Sequence, residues 1–114
     1  MAVIIHTKNP SLLLKQLNIA IDNGEIRTWL VDEDGDYTIS RFQWFQHAWF
    51  RPYRDENDRH LAFGIVQSSV YPMTRQLYGV YHGRLVATLL SHFDSMMDDV
   101  EISPMINVNY DIVE

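Results

Sequence analysis

The chain has 114 residues, 46% of them apolar and 21% charged, which suits one folded domain and excludes a disordered or fibrous protein. It has no cysteine, so disulfides and thiolate metal sites are excluded. The net charge of −6 arises wholly after Arg84, where Asp94, Asp98, Asp99, Glu101, Asp111 and Glu114 stand without any Lys or Arg; such an acidic end repels phosphate backbones and disfavours nucleic-acid binding.

No apolar run approaches the ~20 residues of a membrane span. The first residues lack the basic region and long apolar core of a signal peptide. A soluble, cytoplasmic protein with no membrane partner is expected. In chain order, Val3 to His6 is short, β-branched and apolar, a first strand. Asn9-Pro10 is a helix start, with Asn as cap and Pro in the first turn, where its missing N–H costs nothing. Leu13, Leu17, Ala20 and Ile21 then share one face of a helix over 10–22, and Gly24 suits its left-handed end.

Residues 25–31 have a strand composition, and 37–39 return alongside after the Asp34-Gly35 turn. The acidic run from Asp32 to Asp36 invites a calcium-loop reading, but the spacing fails. Gly35 comes too early, and Gln43 stands where the bidentate glutamate belongs. A hairpin turn accounts for it better.

Six of the fourteen aromatic residues fall between Phe42 and Tyr53. Ser40-Arg41-Phe42-Gln43 matches a capping box, which predicts a helical turn over 41–46 with its aromatics in core or corner packing. From His47 to Tyr53 an extended strand is favoured, because Pro52 biases Arg51 away from helix. Residues 54–59 form a charged turn. His60 to Gln67 alternates Leu61, Phe63 and Ile65 against Ala62, Gly64 and Val66, a strand that pairs with 47–53.

Residues 68–72 form a loop, and Thr74 caps a long helix over 75–97. Its apolar stripes are Tyr78, Tyr81, Leu85 and Leu89, and beside them Val86, Leu90, Phe93 and Met97. A last alternating segment carries Val100, Ile102, Ile106, Val108, Tyr110 and Ile112, a long strand that Pro104 breaks or confines to an edge. The order β-α-β-β-β-β-α-β predicts a single α+β domain over 1–114: a two-layer, mostly antiparallel sheet with two helices on one face.

Chemistry-bearing residues are sparse. His82 and His92 lie about 80° apart on the long helix, and no histidine pair has the i, i+4 spacing of a helical metal site. No metal and no cofactor are expected. Gly79 and Gly83 weaken that helix and imply close approach of another element or a ligand, around which Tyr81, His82 and Arg84 would reach. If Ala48 and Phe50 point inward, then His47, Trp49 and Arg51 point outward together, as a recognition surface of hot-spot residues. The competing reading covers that face with the helices and pairs Arg51 with a carboxylate of the 55–58 turn.

Two functions follow. The first is a non-catalytic binding or protein-interaction domain, a homodimer or partner-binding protein joined through the C-terminal strand. The alternative is a small enzyme or ligand-binding domain with its pocket between the 47–53 strand and the 75–97 helix, lined by His47, Arg51, Tyr81, His82 and Arg84. The absence of a nucleophile with a matching base weakens the second.

Overall fold

Alternation of buried and exposed side chains fixes which way each strand faces, and the rest of the fold follows from it. A computed structural model describes residues 2–104 and 106–113; Met1, Met105 and Glu114 lie outside them. In β1 (Val3–His6), Val3 and Ile5 are fully buried, while Ile4 and His6 point to the other face. The helix α1 (Pro10–Asp22) starts as its sequence predicts: the Asn9 side chain accepts the Leu12 N–H at 3.0 Å, with Pro10 in the first turn. It ends before Gly24, whose φ of +84° is the left-handed geometry that glycine adopts without strain.

The hairpin of β2 (Trp29–Val31) and β3 (Tyr37–Ile39) pairs Trp29 with Ile39 and Val31 with Tyr37. The acidic run between them is a turn, as expected. The Asp32 carboxylate accepts the N–H groups of Asp34 and Asp36, and Gly35 takes a φ of +82°. The first strand of this hairpin is shorter than predicted, since Ile26 is buried ahead of it without pairing as a strand.

β4 (Ala48–Asp55) and β5 (His60–Gln67) pair along their whole length, Ala48 opposite Gln67 and Asp55 opposite His60. Ala48, Phe50, Leu61, Phe63 and Ile65 line the core face. The long helix α2 (Arg75–Phe93) is capped by the Thr74 hydroxyl and places Leu77, Tyr81, His82, Leu85 and Leu89 on the same core. It ends before the predicted 97: a 3₁₀ turn, Asp94–Met96, follows, and Leu90 of the predicted stripe faces solvent. With β6 (Asp99–Ile102) the sheet has six strands in the order β2-β3-β4-β5-β1-β6, every neighbour antiparallel. Both helices lie on one face, so the α+β two-layer expectation holds. No helix among the described residues is long and apolar enough to cross a membrane.

The C-terminal segment departs from its sequence pattern. Among its described residues only Asp99–Ile102 forms a strand, at the sheet edge beside β1. Pro104 has no N–H to continue a ladder, and the chain turns back instead. Asp111 N–H donates to the Asn107 carbonyl and Asn107 N–H to the Asp111 carboxylate, both at 2.8 Å. The other Asp111 oxygen accepts the Ile65 N–H at 2.9 Å. Ile112 then bridges β5 in parallel, donating to the Ile65 carbonyl and accepting from the Gln67 N–H. On β5, β1 reaches only residues 60–63, so this tail satisfies the β5 groups beyond its reach.

Gly64 makes that crossing possible, because a Cβ there would collide with the Tyr110 carbonyl. Gly79 and Gly83 are the reverse: both face open space, and no element packs on them, contrary to the expectation from their spacing. Two substitutions of the same kind therefore have opposite outcomes. Gly64→Ala should cost about 1–3 kcal/mol in urea unfolding and expose the Ile65 and Gln67 amides to hydrogen exchange. Gly83→Ala should leave those amides protected and raise stability by up to ~1 kcal/mol.

Candidate functional site

The aromatic segment is shaped by one buried hydroxyl. Tyr81, fully buried on α2, donates to the Trp44 carbonyl at 2.6 Å and shares a 3.1 Å hydrogen bond with Thr38. Thr38 in turn accepts the Gln46 N–H at 3.0 Å, and Arg41 O accepts from Trp44 and Phe45. Residues 41–47 are thus folded into a tight turn pinned to α2 and β3. The predicted capping box does not form; the Ser40 hydroxyl donates to the Arg27 carbonyl. Gln46 adopts a φ of +58°, which redirects the chain into β4.

The turn pushes its aromatics outward. Phe42 is 100% exposed and Phe45 41%, while Trp44 packs partly against the core; the expectation of core or corner packing holds for Trp44 and fails for the two phenylalanines. A second loop rises beside it. The Ser68 hydroxyl oxygen accepts the N–H groups of Val70 and Tyr71, holding Val70 76% exposed. His47 bridges the two loops, its ring stacked on Tyr71 at 3.7 Å and edge-on to Trp44 at 6.0 Å. Between them lies a cleft of about 510 Å³ bounded by Phe42, Phe45, His47, Trp49, Val70 and Tyr71. Its lining contains no Asp, Glu, Lys or Arg.

The six residues expected to carry function separate into four environments. Trp49 and Arg51 point away from the helices, as the alternation requires with Ala48 and Phe50 fully buried. Trp49 joins His47 in the cleft. Arg51 holds the buried Asp36 carboxylate through two parallel bonds, at 3.1 and 2.9 Å, rather than a carboxylate of the 55–58 turn. Hydrogen bonding to Asp36 raises the Arg51 pKa further, which keeps the guanidinium charged.

Tyr81 and His82 belong to the core. His82 lies edge-on to Phe50 at 5.0 Å, and its Nδ1 is 2.7 Å from the Tyr78 carbonyl; a carbonyl only accepts, so this nitrogen carries the proton. Arg84 sits elsewhere, in a shallow hollow with Arg41 and Thr28. The pocket expected between β4 and α2 is filled by Phe50, whose ring lies 6.1 Å from Tyr81. The five residues assigned to that pocket do not converge. Phe42, Phe45, Val70 and Tyr71 escaped the sequence reading; Val70-Tyr71, large and apolar inside a Ser/Pro loop, was the available signal.

No protein-family model, curated protein or solved structure matches the chain. What the fold defines is a two-layer α+β domain carrying one uncharged, aromatic-rimmed cleft.

Burial also sets the alkaline limit of this arrangement. Desolvation raises the pKa of Tyr37, Tyr78 and Tyr81, with the Asp111 charge and its hydrogen bond adding to the shift at Tyr78. The unfolded phenol ionises near pH ~10, below each folded value. The stabilisation is therefore complete below about pH 10 and is lost as pH rises through the folded values. Ultraviolet titration should show Tyr37, Tyr78 and Tyr81 ionising only above the ordinary phenol range and together with loss of helical circular dichroism.

Proposed function

We propose that this chain is a non-catalytic protein-interaction domain that self-associates through the aromatic cleft. The observation that carries the proposal is the exposure of Phe42 and Val70 on either side of a cleft that contains no charged carboxylate or basic chain. Isolated exposed apolar residues are ordinary; contiguous ones around a concavity are characteristic of interfaces. Aromatic anchors at the centre of a contact contribute most of its energy. An uncharged surface needs no partner of opposite sign, so a second copy meeting it across a two-fold axis satisfies it.

The C-terminal strand supports this role less well than its alternation suggested. β6 offers four residues at the sheet edge, and the chain beyond it is folded back on β5. An edge that short is a poor template for strand pairing. The cleft is the better contact.

Sedimentation velocity over a range of concentrations tests this. The wild-type chain should pass from monomer to dimer, with Trp emission shifting to the blue as Trp49 is covered. Phe42→Ser with Val70→Ser should weaken association by at least about tenfold, ~1.4 kcal/mol, without lowering the melting temperature, since both side chains are exposed. Leu90→Ser, on the outer side of α2, should leave it unchanged. A chain that is monomeric throughout, or a dimer indifferent to the double substitution, would overturn the proposal.

A further inference from the structure

The opposite end of the sheet carries a constellation that no stretch of sequence contains. Register places Asp55 of β4 opposite His60 of β5, His60 opposite His6 of β1, and His6 opposite Asp99 of β6. Four adjacent strands thus contribute one row, Asp-His-His-Asp, on the face without helices. Directly paired residues share a face, and neighbouring strands run only about 4.8 Å apart. The two imidazole rings lie 6.4 Å apart, edge to face. Glu101, two residues beyond Asp99, falls on the same face as its neighbour.

We propose that His6, Asp99 and Glu101 form a binding site for a divalent transition-metal ion of the zinc type. His6 Nε2 lies 3.3 Å from a Glu101 carboxylate oxygen. Two donors on a tetrahedral zinc, with bonds of about 2.0–2.1 Å, stand about 3.4 Å apart. Donor atoms of all three residues lie within 4.8 Å of one another. Asp99 therefore needs only a side-chain rotation to complete a one-nitrogen, two-oxygen set.

A plain ion pair accounts for less. An exposed His–Glu contact contributes little, and it leaves Asp99 and Glu101 side by side as like charges on one strand. A second such group stands across the row, where Asp55, Asp58 and His60 also approach within 4.8 Å. The two groups together hold four carboxylates and two imidazoles. Asp55 is committed to its turn, accepting the N–H groups of Asn57 and Asp58, and these bonds hold its pKa below the ordinary value. His60 is 3.3 Å from the Tyr110 hydroxyl. The ion is therefore assigned to the β1–β6 side, with its fourth position open to water. An imidazole nitrogen in the set selects zinc, cobalt or nickel over calcium and magnesium, which prefer oxygen alone.

Calorimetric titration of the full chain with zinc chloride provides the test. One Zn²⁺ per chain should bind, raise the melting temperature, and not be displaced by equimolar Ca²⁺. His6→Ala and Asp99→Asn should each weaken binding by about tenfold or more, the loss typical when a metal's protein environment is disturbed. His92→Ala, an exposed histidine on α2, should have no effect. If His6→Ala fails to fold, Glu101→Gln at the exposed edge carries the same expectation. Unchanged affinity in the folded variants, or calcium competing on equal terms, would overturn the proposal. Neither result depends on whether the aromatic cleft binds a second copy.

Discussion

The pairing of β4 with β5 governs nearly everything the molecule presents. Side chains on a strand alternate between faces, so a slip of one residue would carry every one of them across the sheet. In the observed register Phe50, Phe63 and Ile65 enter the core. The same register sends Trp49 to the cleft and Arg51 to the Asp36 carboxylate. It also aligns Asp55 with His60 at the far end. Core, cleft and histidine row are three consequences of one alignment. The core fits it: Phe50 packs against Tyr81 and His82, while Arg51, the next residue, faces the other way and reaches Asp36.

Periodicity made the fold class legible, and it did so through particular residues. Asn9-Pro10 and Gly24 delimit α1, and the Leu61-Phe63-Ile65 alternation delimits β5; these local signals agree with the tertiary outcome. The signal failed where tertiary contacts override it. Val100 to Ile112 has the period of a strand, yet the Asp111 carboxylate finds a better use bonding the Ile65 and Asn107 N–H groups. The Phe42 turn reads as a helix start because Ser40 and Gln43 have capping-box spacing. Its serine is taken by Arg27 on a neighbouring segment.

The candidate site was half visible for a related reason. Outward projection of Trp49 and Arg51 follows from alternation alone. The Val70 loop and the His6–His60–Asp99 row need knowledge of which strands become neighbours. His6 and Asp99 are distant in sequence, and spacing rules written for single helices or loops do not reach them. Tyr81 and His82 were attractive because of their chemistry. Their depth in the core became apparent only once Phe50 was placed against both.

The tail crossing at Gly64 has a bearing on how the chain is made. β1 emerges before both segments it pairs with, residues 60–63 and 99–102, and the outer groups of Ile65 and Gln67 wait for Ile112. At about 5–20 residues per second, synthesis leaves the nascent sheet with unpaired edges for seconds. Pairings this remote in sequence close slowly even afterwards. During that interval the open strands are templates for neighbouring nascent chains. The segments that cover them carry Asp99, Glu101 and Asp111, so each late pairing brings negative charge, and the mutual repulsion that goes with it, to the edge it covers.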